Sequence, residues 1–338
     1  VLGCRGVVLV VEGRLQEGIN TAVHSEPLGG AVAFIFSGQG SQTPGMGKEL
    51  AGAFSAAARV LQMADEVLGF PLSRLCFEGP AEELTRTENA QPAIVAVSLA
   101  ALAAFREICK VAPTLTAGHS LGEYSALAAA GALAETEAVR LVRLRGLFMA
   151  EAASAAPGTM AAVIGLPAEE VERLCIEDGG VVVAANFNTP EQTVISGEPE
   201  AVARVGAAAR ERGAKRVVTL AVSGAFHSPL MAPAAEKMRA VLQDAAVGTP
   251  SIPVVPNVTG EPTSDPEEIK KLLAAQITSP VQWVKSVNRM WECGVRTFVE
   301  FGPGQVLSGM VKRIQPSAVA LSVSDAKSLE EAASALGG

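Results

Sequence analysis

The chain has 338 residues, 49% of them hydrophobic and 18% charged, which is a globular composition and not a disordered one. A formal charge of −8 offers no general basic field for a nucleic acid, and no apolar run approaches the roughly 18–20 residues that span a bilayer. Five cysteines, odd in number, scattered and without a C-x-x-C pair, argue against a zinc site or disulfide framework and for free thiols in a reducing cytoplasm.

Residues 1–30 carry an apolar patch around Val7–Val11 that Glu12 and Arg14 cut short. They lack the basic-then-apolar order and the cleavage site of a signal peptide, so they are expected to lie outside the main fold as an N-terminal extension. "AVAFIF" (31–36) is an apolar run of strand length, followed by the Gly-rich loop "SGQGSQTPGMG" (37–47) and helical patterns over 48–68 and 91–109. "TLTAG" (114–118) is a short strand with a helix expected directly after it, and a further helix runs around 138–149. From 158 to 224 the order of elements is β-α-β-β-α-β, the signature of a small ferredoxin-like insertion. Its strands are "TMAAVIGL", "VVVAANFN", "QTVISG" and "KRVVTL", with helical spacing over 167–176 and 198–212. Beyond it come a helix near 229–244, a Pro-rich segment (249–256), helices over 265–275 and 281–292, the strand "RTFVEF" (296–301) and a Gly-Pro-Gly turn. The alternation predicts an α/β fold: a large α/β-hydrolase-like domain with a mostly parallel sheet (31–156 and 225–338) and an inserted ferredoxin-like subdomain (157–224).

Between the strand at 114–118 and its helix, "GHSLG" (118–122) matches G-x-S-x-G. Flanking glycines allow the tight strand-to-helix turn that lifts Ser120 into reach, and the N–H of Leu121 then points at the reacting carbonyl. The helix N-terminus adds positive potential where negative charge develops. Hydrolases and acyl transferases both use this device, so the motif alone leaves water and another nucleophile open as acceptors. A serine hydroxyl needs a base, most often histidine, and the chain holds only three. His24 falls in the extension, and His119 adjoins the serine, where its side chain should diverge. His227, in "VSGAFHSPLM", is therefore the candidate base. On the helix around 138–149, Leu141, Leu144 and Phe148 form an apolar face with Arg145 near its middle, while Arg140 and Arg143 point away. A guanidinium on a buried face needs a negative partner, either a structural ion pair or the carboxylate of a ligand held by a bidentate fork.

From about Ala31 onward the chain resembles the malonyl-CoA:acyl carrier protein transacylases and the acyltransferase domains of polyketide synthases. The resemblance is carried, in order, by "FSGQGSQTPGMG" (36–47), "TENAQPAI" (87–94), "GHSLGEYSAL" (118–127), "RLRGLFM" (143–149), "NFNTPEQTVISG" (186–197), "GAFHS" (224–228), "PVQW" (280–283) and "EFGPGQVLSGM" (300–310). It implies Ser120 as nucleophile, His227 as base and Arg145 as clamp for the malonyl carboxylate. It also implies an oxyanion hole from the backbone N–H groups of Gln39 and Leu121. A backbone carbonyl near Gln282 would orient the histidine with no acidic third member. Gln91, Asn186 (or Asn188), Phe226 and Gln282 would complete the substrate site.

Phe226 and Leu121 resemble malonyl-type rather than methylmalonyl-type sites. Two departures stand out: Ser37 where proline is common, and the 30-residue leader. The implied partners are malonyl-CoA and acyl carrier protein, with a monomeric cytoplasmic enzyme, no cofactor, no metal, no nucleic acid and no membrane. An α/β-hydrolase would need an acid between Ser120 and His227, and the only aspartate there, Asp178, falls inside the insertion. A silent docking subunit should have lost part of the Ser/His/Arg/Gln set. A local basic rim for the acidic carrier is expected from Lys270, Lys271, Lys285 and Arg289.

Overall fold

The computed structural model describes residues 30–337; the expected extension, with Cys4 and His24, lies outside the described residues apart from Gly30. Its strands are β1 (Ala31–Phe36), β2 (Leu115–Gly118), β3 (Thr159–Ile164), β4 (Val182–Thr189), β5 (Gln192–Gly197), β6 (Arg216–Thr219), β7 (Val254–Val255), β8 (Val295–Phe301) and β9 (Val319–Val323). They form two sheets, one of five strands in the order β7-β2-β1-β8-β9 and one of four in the order β4-β5-β3-β6.

Every pairing in the five-stranded sheet is parallel. Such a sheet must be covered on both faces, and β1 shows how its apolar run serves that need. Phe34 and Phe36 point into one core, where Phe34 packs edge-on against Phe105 and Phe301 at centroid distances of 5.8 and 4.8 Å. Ala33 and Ile35 face the opposite core with Trp283, Val287 and Phe298. The 22-residue helix Thr87–Ile108 is long and apolar enough to cross a membrane by length and composition, yet most of it is buried inside the protein.

The second sheet is antiparallel throughout, and its order is that of a ferredoxin-like β-α-β-β-α-β unit. Period-two alternation splits its strands between two neighbours. Ala161, Val163, Val182 and Ile195 pack with residues of the helices Ala168–Asp178 and Pro199–Glu211. Met160, Ala162, Ala185 and Val194 join the main core. Backbone bonds also tie the edge strand β4 to the segment that precedes the helix Trp283–Glu292: Val281 N–H donates to the Ala185 carbonyl at 2.9 Å, and Phe187 N–H to the Val281 carbonyl at 2.9 Å.

Several elements depart from the sequence expectation. The helical stretch 48–68 is two helices, Lys48–Ala53 and Ser55–Leu68, broken where Phe54 takes an extended conformation. The helix expected from 91 begins at Thr87 and carries Pro92 inside it, and the Glu88 carbonyl that Pro92 has no N–H to serve accepts from Arg143 Nη1 instead. Strand β9 and the helices Val306–Ile314 and Ala326–Ala335 extend the architecture past the Gly-Pro-Gly turn. β9 is only half-buried along most of its length, which is why its short apolar pattern is weak.

The carboxyl ends of β1 and β2 open onto the same crevice, where ligands bind in open α/β sheets. The turn after β2 fits only because glycines flank it. A Cβ on Gly118 would run into the Gly122 backbone, and one on Gly122 into the Phe36 carbonyl. A Gly122→Ala substitution is expected to cost roughly 1–3 kcal/mol, as overpacked sites do, and to lower Tm by several degrees in a thermal melt. An unchanged Tm would contradict this packing.

Candidate active site

Two non-glycine residues among those described have positive φ: Ser120 (53°) and His227 (59°). Left-handed backbone costs an ordinary residue about 1–2 kcal/mol, so surrounding contacts must impose it. At Ser120 the backbone N–H donates to Asn257 Oδ1 at 2.6 Å, and Asn257 Nδ2 donates to the Gly118 carbonyl at 2.6 Å. His227 is followed by Ser228, whose hydroxyl donates to the Ala225 carbonyl at 2.7 Å and accepts from Leu230 N–H, fixing the turn into Pro229–Met231.

These two turns bring Ser120 Oγ within 2.8 Å of His227 Nε2. The other ring nitrogen, Nδ1, lies 2.8 Å from the Gln276 carbonyl and 3.2 Å from that of Ser279. Carbonyls only accept, so Nδ1 carries the proton and Nε2 presents its lone pair to the serine hydroxyl. Burial, then the neighbouring Arg145 charge, hold the His227 imidazole down to about 3, with the Gln276 hydrogen bond opposing them. The imidazole is thus neutral at physiological pH.

Arg145 is buried on the helix Glu135–Ala155, with 1% of its surface exposed. Its Nη1 donates to Gln91 Oε1 at 2.7 Å, and its Nη2 to Gln276 Oε1 at 3.0 Å and to Ser120 Oγ at 3.1 Å. Gln91, fully buried, also lies with Nε2 3.5 Å from Met149 Sδ. Arg145 Nε–H has no acceptor among the described residues. Neutral amide oxygens solvate the guanidinium without neutralising it, so the cation is held under the nucleophile with donor capacity to spare.

Backbone amides around the turn are mostly committed: Gly122 N–H to the His119 carbonyl, Glu123 N–H to that of Ser120 and Tyr124 N–H to that of Leu121. The N–H of Leu121 has no acceptor among the described residues. Gln39 lies on the loop beyond β1. Ser41 Oγ–H donates to the Gly38 carbonyl at 2.8 Å, and a Cβ on Gly38 would lie 2.8 Å from the His119 carbonyl, so the loop packs against the serine turn. Ser37, where proline was expected, hydrogen-bonds the buried Glu300 carboxylate at 3.2 Å and so ties the loop to β8.

A cavity of about 390 Å³ opens onto Ser120 and His227, lined among others by Gln39, Met149, Met160, Asn186 and Phe226. Asn186 therefore reaches the pocket from β4. Asn188, the alternative, accepts from or donates to His119 Nε2 at 2.9 Å, so the His119 ring is engaged away from the serine.

Gln282 is a correction. The carbonyl that holds His227 belongs to Gln276, one helix end earlier in the chain. Gln282 instead precedes the helix Trp283–Glu292, where its carbonyl accepts from Ser286, and it lines a separate cavity of about 690 Å³. Three of the four residues expected to form a basic rim lie beside carboxylates. Lys285 and Arg289 both pair with Glu261 at 3.4 and 2.9 Å, Lys270 pairs with Glu267, and Glu169, Glu172 and Glu292 line the same cavity as Lys285 and Arg289. The sequence reading also passed over Glu123, Asn257 and Gln276. Only Glu123 leaves a signal there, as a carboxylate inside the otherwise apolar helix Gly122–Ala129.

A serine in left-handed backbone, a neutral imidazole, an unengaged amide and a buried guanidinium thus meet at one place. The acyl transferase domain family matches residues 33–332. The malonyl CoA-acyl carrier protein transacylase of Bacillus subtilis is 48% identical over 302 residues, covering 88% of this chain and 95% of that protein. A solved acyl carrier protein S-malonyltransferase from Vibrio cholerae superposes with a TM-score of 0.87 at 41% identity, covering 89% of this chain and 99% of its own. A malonyl-transacylase solved in complex with a type II PKS acyl-carrier protein gives a TM-score of 0.87 at 44% identity, covering 90% and 99%. The chain belongs to the acyltransferase family of malonyl-CoA:acyl carrier protein transacylases.

The depressed imidazole has a testable signature. By NMR, the His227 ring, assigned with a His227→Gln variant, should not titrate between about pH 8 and about pH 5. An unfolded histidine takes its proton near 6.5, well above the folded value, so the unfolded state binds the proton first. This residue therefore contributes a loss of native stability as pH falls below about 6.5. A ring titrating near its ordinary value would refute the buried, neutral base.

Proposed function

We propose that the chain transfers a malonyl group from malonyl-CoA to the phosphopantetheine thiol of acyl carrier protein through a malonyl-O-Ser120 intermediate. The observation that carries this reading is Arg145, a buried cation 3.1 Å from the nucleophile with a donor still free. A simple ester would leave that charge without purpose, whereas a malonyl carboxylate would neutralise it.

In the first half-reaction His227 Nε2 removes the Ser120 proton as Oγ attacks the thioester carbonyl. The oxyanion is held by the Leu121 and Gln39 N–H groups. Collapse breaks the C–S bond, and the imidazolium returns its proton to the departing CoA thiolate. In the second half the carrier's thiol gives its proton to the same Nε2, attacks the serine ester and takes the malonyl group, and the imidazolium reprotonates Ser120 Oγ. A third acidic residue is unnecessary, because the Gln276 and Ser279 carbonyls fix the imidazole tautomer. Met149, Met160, Leu220, Val222 and Phe226 give the cavity an apolar wall that disfavours water as the competing acceptor.

Phe226 beside the base and Leu121 beside the serine support malonyl over bulkier extender groups. The product would serve as an extender unit in fatty-acid or polyketide synthesis. Cytoplasmic, monomeric action without a metal or cofactor completes the reading, in keeping with the free thiols of Cys76, Cys109 and Cys175.

Incubation with malonyl-CoA and mass spectrometry should find malonyl on wild-type protein and none on Ser120→Ala. Arg145→Ala should lower kcat/KM for malonyl-CoA about 100-fold, the worth of one charge-assisted hydrogen bond, with a much smaller effect on acetyl-CoA. Absence of label on the wild type, or preference for acetyl-CoA, would overturn the proposal.

A further inference from the structure

Behind the serine lies a carboxylate that the mechanism above does not use. Glu123 is 2% exposed. Its Oε2 accepts from Asn257 N–H at 2.9 Å and from Gln276 Nε2 at 2.8 Å. Both partners belong to the site. Asn257 clamps the Ser120 turn, and Gln276 is double-ended: its side-chain oxygen accepts from Arg145 and its main-chain oxygen from His227.

The direction of the Gln276 amide decides whether this works. Were the amide reversed, its NH2 group would face the Arg145 guanidinium, donor against donor, and the cation would lose one of its acceptors. Three acceptors hold the amide in the useful sense: Glu123 Oε2, the Ser120 carbonyl at 3.0 Å and Asn257 Oδ1 at 3.3 Å. The Glu123 oxygen is the nearest of the three, at 2.8 Å, so it contributes most to that choice.

We infer that Glu123 is a positioning residue that sets the Gln276 amide and, through it, holds Arg145 where the acyl carboxylate must land. Glu123 never touches the substrate, and both bonds it accepts fall on a single oxygen. Geometry is therefore what it supplies, and a glutamine, which keeps one oxygen in that place, should substitute for it. The inference rests on the malonyl reading.

The test compares steady-state malonyl transfer from malonyl-CoA by wild type, Glu123→Ala and Glu123→Gln. Glu123→Ala should raise KM for malonyl-CoA about tenfold with kcat within about threefold of wild type, because the clamp loosens while the Ser120–His227 pair persists. Glu123→Gln should bring KM back to within about threefold of wild type. A fall in kcat at unchanged KM, or a glutamine variant no better than alanine, would overturn the inference. Should Glu123→Ala fail to fold, Gln276→Asn decides: it withdraws the side chain from Arg145 but keeps the carbonyl that His227 needs, so the same KM rise is expected and an unchanged KM refutes. Wild type that takes no malonyl label would fail the malonyl reading itself, and the inference with it, whereas labelled wild type with an unaffected Glu123→Ala would fail the inference alone.

Discussion

A guanidinium sealed in the core beneath the nucleophile is the constraint around which the rest of this protein is arranged. Taking an ion of that size out of water costs several kcal/mol even after the protein relaxes, roughly the scale of a domain's whole net stability. The chain meets the cost with two glutamines from distant helices, Gln91 and Gln276, and one buried carboxylate, Glu123, at the far side of Gln276. The same burial acts on its neighbours in opposite directions. His227 is held neutral by desolvation and by the arginine's charge, while desolvation pushes the Glu123 carboxyl up to about 7 despite the hydrogen bonds and the nearby cation. Burial first and the arginine's charge second thus keep the imidazole neutral.

The reactive pair depends on backbone that no ordinary residue prefers. Ser120 and His227 both occupy left-handed conformations, and each is enforced by neighbours that cannot yield. Gly118 and Gly122 lie against each other and against β1, so the serine turn is wedged into the end of a parallel sheet covered on both faces. Such a sheet is stiff because its strands are packed above and below at interior density. The strain at the two residues is stored there, and the reacting atoms are already placed before any substrate arrives.

Much of this was legible in the chain. The glycines of 118–122 announced a turn, elimination among few histidines singled out His227, and an arginine on an apolar helical face announced a buried cation. Each of these signals is local: a spacing, a scarcity, a break in periodicity. What escaped was whatever depends on contacts across the fold. Gln276 and Asn257 stand in segments with no local oddity, and their roles exist only because the helix Pro266–Gln276 and the end of β7 reach the serine turn from more than 130 residues away. Gln282 was mistaken for the residue beside the base because it sits in a recognisable tetrapeptide. The ion pairs of Lys285 and Arg289 escaped for a related reason, since a list of lysines and arginines does not reveal the carboxylates that fold against them.

The seam between the two sheets ties recognition to reactivity. One continuous stretch, residues 276–283, supplies the carbonyls that hold the imidazole proton and, a few residues on, the backbone groups that extend the edge of β4 beside Asn186. The strand that brings Asn186 to the cavity and the carbonyls that hold the imidazole are therefore joined by a few residues of one backbone segment. A covalent tether that short leaves the small sheet and the histidine's support little room to move independently of one another.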